Sequence, residues 1–175
     1  MAQLCWRWCT PTTQRLERII KMYEEWLKEE KNKFVSLDLE YTRKSSYRRR
    51  GVAVMQLAMR EHVLVYHYCR SERCQALVEF LQRKAITFAS VDTRSDKIIL
   101  ARAWIRISDE HHVSIQRQFC IKGGGERDSM AGLAVAIIDS SYKNMKKSFP
   151  SKKHKFWENP LSTLHLEYAA KDGLA

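Results

Sequence analysis

No apolar run in this chain approaches the roughly 20 residues that span a bilayer, and the opening stretch from Met1 to Cys9 lacks the hydrophobic core of a signal peptide. The expectation is an intracellular protein, nuclear or cytoplasmic, with no membrane-embedded part. Cysteine offers no framework either. Cys5, Cys9, Cys69, Cys74 and Cys120 form an odd, scattered set without a Cys-x-x-Cys pair, and no histidine stands at zinc-finger spacing. They read as reduced thiols, with Cys5 and Cys9 belonging to an apolar N-terminal segment around Trp6 and Trp8. A phosphate-binding glycine loop is also missing: Gly123, Gly124 and Gly125 are not followed by a Lys-Ser/Thr pair and open no dinucleotide fingerprint, so they read as a turn. Acidic residues are outnumbered, 20 against 31 Lys and Arg, and the formal charge of +11 points to a polyanionic partner. Nucleic acid is the commonest such partner for a basic domain, with a membrane surface as the competitor.

What is present fits one domain with a sizeable core: 175 residues, 45% hydrophobic, with no internal repeat. Thr12 or Thr13 can cap a helix in which Leu16, Ile19, Ile20, Tyr23, Trp26 and Leu27 make one apolar stripe to about Glu30. Segments 34–41, 52–58 and 62–68 read as strands, the last two joined by a tight turn at Arg60 and Glu61. There follow a helix over 72–83, a strand over 86–91, a helix over 95–107, a strand over 113–119, a helix over 129–142, a basic loop over 143–155 and a last helix from Ser162. A three-strand antiparallel meander followed by alternating helix and strand predicts an α/β fold: a mixed sheet flanked by helices in the ribonuclease H-like arrangement. Residues 1–32 form an N-terminal extension whose helix packs on the core, and 33–175 the main domain.

The chemistry lies in acids set among apolar residues. Asp38 and Glu40 interrupt the run from Phe34 to Tyr41, so in a strand they share one face while Leu37 and Leu39 occupy the other. Two carboxylates held that close repel unless a cation lies between them, and an oxygen-rich site suits Mg²⁺ or Mn²⁺. Glu126 and Asp128 have the same gap but sit in a glycine-rich stretch without that context. Near the C-terminus, Tyr168 and Asp172 stand four apart, on one face of a helix. Asp96 falls at the start of a helix after the strand over 86–91, where a cap is the plain reading, and Asp92 is its alternative. The pair His111 and His112 reads as surface loop beside Asp109 and Glu110.

Five segments in order carry a family resemblance: Phe34 to Tyr41, Val52 to Leu57, Phe88 to Asp96, Trp157 to Ser162, and Tyr168 to Asp172. Together they closely resemble the DEDD 3′-to-5′ exonucleases, nearest the Werner-like branch and the subgroup with tyrosine before the last aspartate. The resemblance implies that Asp38, Glu40, Asp96 and Asp172 ligate two divalent ions, Mg²⁺ or Mn²⁺, and that Tyr168 orients the attacking water. It implies release of nucleoside 5′-monophosphates from single-stranded DNA or RNA 3′ ends. By resemblance to small plant relatives, a homo-oligomer is also expected. Gln56, which matches the family's second strand, reads as structural.

Substrate contacts are expected from two basic stretches. Arg43, Lys44, Arg48, Arg49 and Arg50 follow the first acidic strand, and Lys143 to Lys155, with Lys152 and Lys153, precede the last helix. Tyr41, Tyr47, Phe149 and Phe156 interleave with these charges and could stack on bases. A second reading keeps the fold but not the activity: a catalytically weak module that binds nucleic acid or protein. It draws on the chain's end at Ala175, which predicts a fraying helix beneath Asp172.

Overall fold

Strand β1 (Phe34–Tyr41) is the central strand of a five-stranded sheet in the computed structural model, which describes residues 12–45, 49–118, 130–138, 140 and 156–174. Strand β2 (Val52–Met59) pairs antiparallel with it, setting Asp38 opposite Gln56 and Glu40 opposite Val54. Strand β3 (His62–Tyr66) pairs antiparallel with β2 through the turn at Arg60, whose φ of 55° is left-handed. On the other side β4 (Thr87–Ser90) and β5 (His112–Ser114) run parallel, giving the order β3-β2-β1-β4-β5. This mixed sheet flanked by helices is the ribonuclease H-like arrangement expected from the order of elements.

The alternation of β1 divides the molecule. Val35, Leu37 and Leu39 are buried with Leu16, Ile20, Tyr23 and Leu27 of α1 (Thr13–Glu29). Those four positions recur at four, three and four, which keeps them on one helical stripe, and the Tyr23 hydroxyl donates to the Leu57 carbonyl at 2.9 Å. Helices α2 (Gln75–Leu81) and α3 (Thr93–Arg102) join this core through Phe80, Leu81, Ile99 and Leu100. The opposite face, bearing Asp38 and Glu40, is covered by α6 (Thr163–Leu174), with Ala169 seated against Ala53, Val54 and Trp157. Covered on both sides, β2 is buried at every position. No helix among the described residues is long and apolar enough to cross a membrane.

Several boundaries differ from expectation. The third strand ends at Tyr66 rather than 68 because Tyr68–Arg70 form a 3₁₀ turn, and the next helix is the shorter α2. Helix α3 starts at Thr93, two residues early, because Asp92 and not Asp96 is its cap, accepting from the Arg94 amide at 3.0 Å. It stops at Arg102 instead of continuing to 107, since Trp104 turns left-handed at φ 59°. The strand expected over 113–119 is only His112–Ser114, giving way to α4 (Ile115–Gln118), and α5 (Met130–Ile137) is shorter than 129–142. His112 is buried, contrary to the surface-loop reading, because it opens β5 and its ring turns onto Ser90 of β4. Of the cysteines, Cys69 is half-buried and Cys74 buried, and neither is in a disulfide. Cys5, Cys9, Cys120, Tyr47, Arg48, Gly123 to Gly125, Glu126, Asp128, Phe149, Lys152 and Lys153, with the rest of the basic loop, lie outside the described residues.

Candidate metal centre

Asp38 and Glu40 reach the α6 face because the β1 pleat alternates, and Asp172 reaches it from above. Their carboxylate oxygens all lie within 4.8 Å of one another, the one such convergence of His, Cys, Asp or Glu among the described residues. Asp172 does not fray. It is buried, and the α6 backbone beside it is pressed onto the sheet: a Cβ at Gly173 would stand 3.0 Å from Val63 Cγ1 and 3.6 Å from Gln56 Cβ. A side chain there would need Val63 to give by a few tenths of an ångström, so glycine eases the close approach that sets the aspartate over the sheet. The start of the same helix is closed by a reciprocal pair, with the Ser162 amide donating to His165 Nδ1 at 3.3 Å and the His165 amide reaching Ser162 Oγ at 3.5 Å. Histidine here takes the place of the acid or amide of a capping box.

Tyr168, one turn before Asp172, hydrogen-bonds that carboxylate. Its phenol is held well above its ordinary value, by burial first and then by the charges of Asp172, Glu40 and Asp38. It stays protonated and can donate a hydrogen bond, not abstract a proton.

Asp96 stands apart from the three converging acids. It is buried in the first turn of α3, and the Tyr41 hydroxyl donates to its Oδ1. Burial pushes its carboxyl up to about 6, with the Tyr41 hydroxyl opposing the rise and the nearby Asp92 charge adding to it. Asp92 itself is bound by Arg94, Nε to Oδ1 at 3.0 Å, and its carboxyl is held below the usual range. Of the two candidates near that strand end, Asp96 is therefore the one that faces the strand bearing Asp38 and Glu40.

Behind β1 lies a buried polar chain that the sequence reading missed. Ser90 Oγ donates to the Leu37 carbonyl at 2.7 Å, so it must accept from His112 Nε2 at 2.9 Å. Burial lowers the His112 imidazole to about 4, so the ring is neutral. The available signal was a serine in an apolar strand, the same kind of anomaly that marks Asp38. In the loop after β1, Arg43 is exposed with its guanidinium 4.2 Å from the Phe156 ring centroid, and Arg49 is exposed as well.

The donor set suits a hard divalent ion: three carboxylates converge, with no thiolate and no imidazole among them. A further mark is Gln56, opposite Asp38 on β2, whose amide oxygen and nitrogen are both buried without a partner. Three crowded anions beside an unsatisfied amide make a costly apo site, and a cation relieves that cost.

Residues 13–175 match the profile of the 3′-5′ exonuclease domain. The chain belongs to the 3′-5′ exonuclease family. Among solved structures, Escherichia coli RNase D, an exoribonuclease involved in structured RNA processing, matches at TM-score 0.72 and 17% identity, over 93% of this chain and 40% of that one. The EXO domain of Aedes aegypti Nibbler matches at 0.66 and 16%, over 88% of this chain and 79% of that one. Brucella melitensis NrnC bound to pGG matches at 0.62 and 21%, over 82% of this chain and 68% of that one, and NrnC has also been solved with bound Mg²⁺. At these identities the likeness is one of fold, and this family member spans less than half the length of RNase D. No curated protein matches the chain.

Proposed function

We propose that the protein is a metal-dependent 3′-to-5′ exonuclease that hydrolyses terminal phosphodiester bonds of single-stranded DNA or RNA and releases nucleoside 5′-monophosphates. The observation that carries this reading is the convergence of Asp38, Glu40 and Asp172 within 4.8 Å in a member of the exonuclease family. Those three residues would hold one divalent ion, and Asp96, in the first turn of α3, would help hold a second. Bound there, Mg²⁺ or Mn²⁺ supplies an activated water and charge neutralisation at the phosphate. Asp172 and Tyr168 act as a unit, the phenol donating to the carboxylate and orienting a water through its oxygen. Arg43 and Arg49, exposed in the loop after β1, would receive the phosphate backbone. That NrnC binds pGG and Mg²⁺ supports a nucleic-acid substrate and this ion for a related fold.

The test is digestion of 5′-labelled, matched DNA and RNA oligonucleotides in Mg²⁺, Mn²⁺ or chelator. Stepwise shortening from the 3′ end, lost in chelator and in Asp38→Ala, is the expected result. A second reading, a binding module with weak or no activity, draws on one observation: the Asp96 carboxylate is engaged by Tyr41 and stands outside the converging group. Salt-sensitive oligonucleotide binding without shortening would select that module.

A further inference from the structure

The C-terminal end of α3 carries a large aromatic side chain that packing leaves out. Trp104 is 76% exposed, more than any other described large hydrophobic residue. Its backbone sits at φ 59°, a left-handed conformation natural to glycine at a helix end and costly for a bulky residue. An indole placed in water on a strained backbone gains the fold nothing. The hydrogen bonds at this corner hold the main chain rather than the ring. The Tyr68 hydroxyl donates to the Ala103 carbonyl at 3.3 Å, and Arg73 Nη2 donates to the Trp104 carbonyl at 3.4 Å.

Cations surround this corner. Arg73, Arg102 and Arg106 are exposed, and Arg102 Nη1 donates to the Arg50 carbonyl at 3.4 Å, tying the corner to the arginine-bearing loop after β1. Asp96 is in the first turn of α3, and Trp104 follows two residues after that helix ends at Arg102, so the helical part between them spans about 9 Å. An aromatic face open to solvent, flanked by arginines at the far end of the helix that carries Asp96 and tied through Arg102 to the loop after β1, has the chemistry of a single-strand binding surface. Bases stack on the ring and phosphates meet the cations.

We propose that Trp104 is a stacking platform for a base of a single-stranded nucleic acid whose 3′ end lies at the Asp38, Glu40 and Asp172 group, with Arg73, Arg102 and Arg106 receiving the flanking phosphates. The proposal rests on the exonuclease reading and adds a distal subsite to it. A strand must be long enough to run from the carboxylates to Trp104 to use that subsite, so a dinucleotide does not reach it.

The experiment compares wild type, Trp104→Ala, Trp104→Gly and Trp104→Phe. Fluorescence anisotropy in chelator reads the affinity for a labelled oligonucleotide of roughly twelve nucleotides, thermal unfolding reads stability, and dinucleotide hydrolysis in Mg²⁺ reads the centre itself. Loss of the ring in Trp104→Ala and Trp104→Gly weakens oligonucleotide binding by about fivefold to a hundredfold, while Trp104→Phe retains most of it. Dinucleotide hydrolysis is unchanged in all three. Trp104→Gly also melts at a higher temperature than wild type, because glycine accepts the left-handed backbone, which separates lost binding from lost folding. Wild-type affinity in Trp104→Gly overturns the proposal while leaving the exonuclease reading intact. A wild-type protein that neither binds nor digests any strand overturns that reading first, and the subsite with it.

Discussion

The two faces of strand β1 are built from neighbouring residues and do opposite things. Leu37 and Leu39 point into a core shared with α1, α2 and α3, while Asp38 and Glu40 point at α6 and, with Asp172, crowd three carboxylates within 4.8 Å. One face stabilises the fold by removing apolar surface from water; the other destabilises it by holding like charges together at partial burial. Stability and chemistry are thus separable at single-residue spacing. Substitutions one position apart should have effects of different kinds.

The largest effect separates the faces directly. Asp38→Ala lowers hydrolysis in Mg²⁺ by on the order of 10³-fold, while the metal-free protein melts at the same temperature or higher because a repelling charge is gone. Activity assays and calorimetry on one preparation check both halves. Leu37→Ala should do the reverse, costing about 2–5 kcal/mol of stability in chemical denaturation, with the surviving folded fraction still binding metal. A Leu37→Ala protein as stable as wild type would break the comparison.

Asp96 tests the electrostatic side through pH. Its folded-state value, about 6, lies above the ordinary 3.8, so the folded protein holds this proton more tightly than the unfolded chain does. Ionising the group therefore costs stability: the loss develops between about pH 4 and 6 and persists above that. Asp96→Asn removes the cost, and the metal-free variant should be more stable at pH 7 by roughly 1–3 kcal/mol. That gain vanishes at pH near 4. Excess Mg²⁺ should narrow the gap by stabilising the wild type more. The smallest effect belongs to Gln56, fully buried with neither amide atom bonded. Gln56→Leu should raise stability by about 1 kcal/mol, read as a shift in the urea midpoint. A loss instead would show that the amide has a partner in solution.

Much of the fold was legible because periodicity reports burial locally. The stripe of α1, the meander of β1, β2 and β3, and the hairpin at Arg60 follow from spacings of three to four and of two. Ends were less legible, since they depend on single residues: Asp92 starts α3 two residues early through its cap, and the left-handed Trp104 ends it early. Strand β5 could not be delimited from its apolar content, because three residues suffice when a neighbouring strand supplies the pairing. Within the site, the pair Asp38 and Glu40 stood out as charges in an apolar run. Tyr41 did not stand out as the partner of Asp96, because that contact joins residues 55 apart. The chain Leu37, Ser90 and His112 was hidden for the same reason, as it crosses three strands.

The amino-acid order alone settles which residues share a strand face or a helix face, since the repeats of a strand and a helix are properties of the backbone. It also carries the acids, the tyrosine and the basic balance that place the chain among the exonucleases. Whether those acids meet was decided by packing: the last helix lies close against β2 and β3 at Gly173, Asp172 meets Asp38 and Glu40, and Asp96 is left to Tyr41. Distances between residues far apart in the chain follow from how closely helices and sheet can approach, and that is a property of the assembled core.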